Sequence, residues 1–247
     1  MAGERERREL LINVIAGLLD GIRHVAVGAS SPIPAAGAML LRARNECRGK
    51  PSVRISILGS HQHNFFTNGA VEVFDCAAQG RVDAFFLGGG QIDGAGNINL
   101  VGTGAYPKTD VRWPGSFGSA YLYHLVPRVI LFREEHSPRV FVPKVDFVSA
   151  AATTPEVRRR GGPYALLTNM ALFDFDRARG GFTLRSVHPG FAPSDIRANT
   201  GFEYVEPPEI PPTPLPDAET LSLLRGRVMD ELAETYPAFA RTMLQAA

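Results

Sequence analysis

Residues 81–100 read RVDAFFLGGGQIDGAGNINL, and glycines return at Gly115 and Gly118 after Trp113-Pro114. The apolar run before Gly88 has the length and character of a buried parallel strand. Glycine accepts positive φ and lets a ligand approach the main chain, so the turn at Gly88, Gly89 and Gly90 offers N–H groups suited to an anion or a thioester carbonyl. A strand that empties into such a turn sets it at the carboxyl edge of a sheet, where open α/β folds bind ligands. Asp93, Asn97 and Asn99 interrupt the glycines, and short Asx side chains bond to nearby backbone and knit a turn. Gln91 carries amide hydrogens that it can offer to a bound carbonyl or carboxylate. A dinucleotide fingerprint fits poorly, because Asp93 stands inside the loop and no periodic helix opens after it.

Upstream of this stretch, short apolar runs alternate with helical patterns. Leu10, Leu11, Val14, Ile15, Leu18 and Leu19 recur at three- and four-residue intervals and predict a helix over 5–20, stopped at Gly21. A strand follows at 24–28, a helix at 35–44, a strand at 53–58 and a helix at 70–79 that ends at Gly80. This alternation implies an open, mainly parallel sheet flanked by helices. Downstream, strands are expected at 128–132 and 140–142, a solvated corner at Arg158-Arg159-Arg160, and hairpin-like strands at 164–169, 170–175 and 182–186. Residues 207–216 hold six prolines in ten positions and must run extended, close to polyproline II. Asp217 caps a final helix reaching Met243. The chain therefore reads as an α/β domain over 1–206 and a Pro-rich strap with terminal helix over 207–247, the latter expected to pack on the domain or wrap a neighbouring subunit.

Bulk properties exclude several classes. With 26 basic against 25 acidic residues the net charge is +1, which argues against nucleic acid or an anionic membrane as partner. The charged N-terminus lacks the apolar core of a signal peptide, and no apolar run is long enough to span a membrane. A cytoplasmic location is expected. Cys47 and Cys76 are too few for a disulfide framework and read as buried free thiols.

The wording of the glycine stretch resembles the β subunits of family I coenzyme A-transferases, in particular the glutaconate CoA-transferase branch. The residues that carry the resemblance are Gly88, Gly89, Gln91, Ile92, Asp93, Gly96, Asn97, Asn99, Pro114, Gly115 and Gly118. Residues 141–148, FVPKVDFV, and 188–202, HPGFAPSDIRANTGF, look like two later segments of the same family, in the same order. The resemblance implies the family's α/β fold and an α-type partner subunit in an α2β2 assembly. It also implies an acyl-CoA substrate, with coenzyme A as its thioester and no separately bound cofactor or metal. It places Gly88, Gly89, Gly90, Gln91, Asp93, Asn97, Gly115, Phe117 and Gly118 at the substrate.

Two departures from the family stand out. Its transferases use a glutamate at the end of a β-subunit strand, which attacks the thioester and becomes a mixed anhydride. Here the matching strand ends at Ile57-Leu58-Gly59, and between Glu46 and Glu72 there is neither aspartate nor glutamate. The family's Gly-x-Gly-Gly loop becomes Gly115-Ser116-Phe117-Gly118, with Phe117 replacing a glycine. A phenylalanine there either lines the acyl pocket or shifts the loop.

Related complexes without the glutamate decarboxylate a glutaconyl-type thioester or hydrolytically open a ring of a steroid-derived acyl-CoA. The resemblance therefore points to decarboxylation or hydrolytic C–C cleavage, both of which an oxyanion site can serve. The alternatives are a transferase that borrows a residue from its partner, and a non-catalytic subunit that only binds acyl-CoA. No catalytic residue can be assigned outright. The nearest titratable group is His61-Gln62-His63, where His61 is a candidate general base, a pocket-lining residue or, with a third ligand, a metal ligand. Ser60 lacks a Ser-His-Asp arrangement, and His188 reads as part of a structural turn.

Overall fold

The computed structural model describes residues 3–67, 69–153, 157 and 159–245. They form two compact units, 1–86 with 214–247, and 87–213.

The first unit opens with α1 (Glu4–Leu18), β1 (His24–Val27), α2 (Pro32–Cys47), β2 (Arg54–Ile57), α3 (Gly69–Ala78) and β3 (Ala84–Leu87). β1 pairs in parallel with β2 on one side and β3 on the other. All four residues of β1 are buried, as a central parallel strand requires. Helix α2 begins earlier than its apolar pattern suggests, because Pro32 sits in the first turn, where a missing N–H costs nothing. Leu11, Ile12 and Ile15 of α1 meet Ile33, Met39 and Leu40 of α2 in the core, each at most 2% exposed. Gly37 sets how closely these helices approach, since a Cβ there would lie 2.2 Å from Ile15 Cγ2.

The second unit carries two short hairpins, β4 (Gln91–Ile92) with β5 (Ile98–Asn99) and β6 (Gly102–Thr103) with β7 (Val111–Arg112). Helix α4 (Ser119–Leu125) leads to β8 (Arg128–Arg133), β9 (Pro163–Thr168), β10 (Ala171–Asp176) and β11 (Gly181–Val187), and α5 (Pro193–Asn199) follows. β8 and β9 are parallel, while β9, β10 and β11 form an antiparallel meander. The strand expected at 140–142 reduces to a single parallel bridge between Ile92 and Phe141. Of the Arg158–Arg160 corner, Arg158 lies outside the described residues. Arg159 is half-buried rather than solvated, and donates to the Ala151 carbonyl and the His124 ring.

The C-terminal segment returns to the first unit as α6 (Ala218–Leu223), a π turn at Leu224–Val228, α7 (Met229–Leu232) and α8 (Pro237–Gln245). Asp217 caps α6 by accepting from the Thr220 amide at 2.8 Å. The expected single helix to Met243 is broken before Pro237, which cannot continue a hydrogen-bonded helix interior. Of the two expected placements, on the domain or on a neighbour, the terminal helices take the first. Leu224, Val228, Met229 and Leu232 are at most 1% exposed within the chain's own first unit. Arg225 clasps the buried Glu9 carboxylate of α1 at 2.7 and 2.8 Å. Because residues 214–247 complete this unit, the division at 206/207 is not the one the packing makes. The thiols also differ from expectation. Cys47, at the end of α2, is exposed, and Cys76 is half-buried; both are free.

Candidate functional site

In the second unit the glycines following β3 answer to packing. A Cβ on Gly89 would lie 2.6 Å from the Gln91 carbonyl, and one on Gly90 would sit 2.2 Å from the Trp113 ring. The Gly90 amide already donates to the Asn99 carbonyl at 2.9 Å. Gly88 approaches the Phe132 carbonyl, and Gly96 turns at φ 76° against Phe175. Gly115 is different, since at φ 104° a Cβ would meet nothing within 4 Å.

The polar residues of the loop bond in two groups, one around Asp93 and Asn97 and one around Gln91 and Asn99. Asp93 accepts from the amides of Ala95 and Asn97 at 3.1 and 3.0 Å and from Asn97 Nδ2 at 3.1 Å. Asn97 Oδ1 accepts from the Ala152 amide, and Asn99 ties to Gln91 Oε1 at 2.8 Å and to the Gly102 carbonyl at 2.7 Å. Gln91 is 5% exposed; its Nε2 donates one hydrogen to Asp146 Oδ2 at 3.0 Å, and Oε1 accepts from the Asp146 amide. Two members escaped sequence reasoning. Asp146 lies within the 141–148 segment that carries the family resemblance, but nothing in the sequence pairs it with Gln91. Tyr123, fully buried, donates to the Gly96 carbonyl at 2.6 Å, and burial, aided by the Asp93 charge, pushes its phenol well above its ordinary range.

Phe117 adopts φ 38°, the only positive φ among the described non-glycine residues, and is 88% exposed. Gly118, the N-cap of α4, keeps φ −88°. The strain thus falls on the position where the family has a glycine.

In the first unit, β2 ends in Ile57, which is 0% exposed, and Gly59 turns at φ 91°. The segment after it is held by the C-terminal helices. Ser60 Oγ donates to Glu234 Oε2 at 2.7 Å, the His61 amide donates to Glu234 Oε1 at 2.8 Å, and the His63 amide donates to Ser60 Oγ at 2.9 Å. Burial works against the Glu234 charge, but hydrogen bonds from the Thr235 and Ser60 hydroxyls and from the His61 and Gln62 amides outweigh it and hold the carboxyl down at about 2. Tyr236 Oη donates to the Gly28 carbonyl at the end of β1, 3.1 Å away. His61 is exposed and His63 buried, its Nε2 2.8 Å from Glu231 Oε1 but not aligned for a hydrogen bond. Glu231 is also paired with Arg42. The two rings therefore differ in environment, and no group of three His, Cys, Asp or Glu among the described residues could hold a metal ion.

A cavity of ≈ 430 Å³ in the same unit is lined by Arg23, His24, Arg54, Phe66, Arg81 and Asp83, at the amino ends of the strands. Of the residues singled out from the sequence, Cys76 borders it, but none of the candidate substrate or catalytic residues does. His188 does belong to a structural region, as expected, bonded to Thr213 and the Thr168 carbonyl.

Residues 52–199 match the family described as coenzyme A transferase. The chain is 29% identical over 154 residues to one subunit of the 3-oxoadipate CoA-transferase of Pseudomonas knackmussii, covering 60% of this chain and 59% of that protein. It is 30% identical over 161 residues to the cholesterol ring-cleaving hydrolase IpdB subunit of Mycobacterium tuberculosis, covering 62% and 63%. The chain thus spans less than two thirds of the length of these curated relatives. The solved structure of the decarboxylase AibA/AibB superposes with a TM-score of 0.75 at 24% identity, over 92% of this chain and 98% of that one, and so shares the fold. The matched span runs from the start of β2 through the glycine hairpin and the meander to α5, and over these elements the chain belongs to the coenzyme A transferase family.

Proposed function

We propose that this protein is the β-type subunit of a two-subunit enzyme that acts on an acyl-CoA thioester by chemistry other than glutamyl-linked CoA transfer. The reaction is decarboxylation or hydrolytic C–C cleavage of a dicarboxylic or ring-derived acyl-CoA, and the partner is an α-type subunit. The observation that carries this reading is the end of β2. There the chain offers no carboxylate between Glu46 and Glu72 to form an acyl anhydride. The glycine hairpin and the Gly115–Gly118 turn that answer to the family's thioester region are retained. The relatives that are a decarboxylase and a ring-cleaving hydrolase by name support the same direction. Gly115, Phe117 and Gly118 are the residues we place at the acyl group, and His61 is the candidate base. The bonded groups of Asp93 with Asn97 and of Gln91 with Asn99 shape the hairpin.

The test is co-production with an α-type partner and incubation of the complex with glutaconyl-CoA and related thioesters, with every CoA species weighed by mass spectrometry. A decarboxylated or ring-opened product, independent of added acetate, supports the reading. Acetyl-CoA formed only with acetate overturns it in favour of transfer. A second reading, binding of acyl-CoA without turnover, is favoured by the sealed environment of Ile57. It predicts saturable binding and unchanged thioester.

A further inference from the structure

We infer that Glu234, from the C-terminal segment, is a positioning residue that fixes the His61 backbone beyond the end of β2. This deepens the proposed function and rests on it. The sequence leaves this strand end without a carboxylate of its own, yet one arrives from a position 173 residues further along the chain. Its two oxygens divide the work. Oε1 accepts the His61 amide and Oε2 accepts the Ser60 hydroxyl, whose oxygen in turn accepts the His63 amide. One side chain therefore holds the peptide of the exposed His61 and, through Ser60, that of the buried His63.

The remaining contacts make the clamp specific. Glu231, one helical turn earlier, stands beside His63 and pairs with Arg42, and Tyr236 bonds to the Gly28 carbonyl. The tail thus holds both the first and the second strand end of the unit. A turn bearing a candidate base needs such support, because a displacement of about 1 Å can cost 100-fold in rate. The carboxylate itself is committed to its donors, so it orients the turn and does not accept the substrate's proton.

The test uses the complex with its α-type partner and the variants Glu234→Gln and Glu234→Ala. Hydrogen-exchange mass spectrometry reads the peptide covering 58–66. Turnover of the thioester found active with wild type is measured alongside. The expected result for Glu234→Gln is at least 10-fold faster exchange at these amides and a kcat lowered 10-fold or more. KM should stay within 2-fold and Tm within a few degrees. Glu234→Ala should be more severe in both readouts. Unchanged exchange in both variants overturns this role while leaving the proposed function standing. So does faster exchange with unchanged kcat, or a kcat loss that merely follows loss of folded complex. A wild-type complex inactive on every thioester overturns the proposed function and this role together.

Discussion

Phe117 combines a positive φ, unique among the described non-glycine residues, with the most exposed large apolar side chain among them. Its backbone lies at φ 38° and its ring is 88% exposed. An L side chain in this region costs about 1–2 kcal/mol, which glycine would not incur. Replacing Phe117 with glycine is expected to leave Tm within a few degrees, because relief of strain offsets the added freedom of the unfolded chain. It should also change the range of acyl groups turned over. Equal turnover and equal acyl-CoA affinity in the two proteins would remove Phe117 from the acyl pocket. Asp93 makes the opposite case, a buried carboxylate that serves the loop. Asp93→Ala leaves the Ala95, Asn97 and Val145 amides without this acceptor and should cost ~1–3 kcal/mol in thermal or denaturant unfolding, with weakened turnover. At this scale the sequence was partly legible. Asp93, Asn97 and Asn99 bond locally, and short Asx side chains among glycines announce it. Gln91 could not be read this way, because its partner Asp146 is 55 residues distant and no local pattern joins them. The Glu234 contacts are hidden for the same reason.

At the scale of elements, the apolar periods located α1, α3, β1 and β2 to within a few residues, since each buries one continuous face. Where tertiary hydrogen bonding decides, they failed. The run at 140–142 has strand composition, but its pairing with Ile92 ends after one bridge. Likewise, the prolines around residue 32 look like a loop until their place in a helix's first turn is known. The α1–α2 contact gives a sharp prediction. Gly37→Ala puts a methyl group 2.2 Å from Ile15 Cγ2 inside a close-packed pair. It should destabilise the chain by ~1–3 kcal/mol in denaturant unfolding, although alanine is the better helix former. Combining it with Ile15→Ala should recover part of that loss if the methyl clash is its source.

For the whole molecule, acidity is the simplest probe. His136 and His188 lie in the second unit, 7% and 3% exposed, between threonine hydroxyls and backbone. Burial pushes both rings down to about 4, and for His136 the neighbouring His188 adds to the effect. The unfolded chain takes up protons near pH 6.5 while the folded chain does not, so stability is complete above that pH and is lost as pH falls toward 4. Each ring accounts for ~3 kcal/mol of that loss. Urea midpoints measured from pH 7 to 4.5 should therefore fall steadily, and replacing His188 with glutamine should flatten the curve. Removing residues 214–247 should have a different effect, exposing the apolar sides of α1 and α2 and leaving Glu9 with Arg5 alone, so that the first unit fails to form a protected core in hydrogen exchange. The family signature lay within 52–199 and was legible. The tail's role was not, because its prolines and short helices carry no sign of where they dock.

The discontinuity of the first unit fixes an order of events in the cell. Residues 1–86 leave the ribosome first, yet they lack their closing helices until residues 214–247 have been made, after the whole of 87–213. The unit begun first is finished last. Until then its apolar helix faces lack the segment that covers them. A chain halted before residue 214 would present those faces to its neighbours.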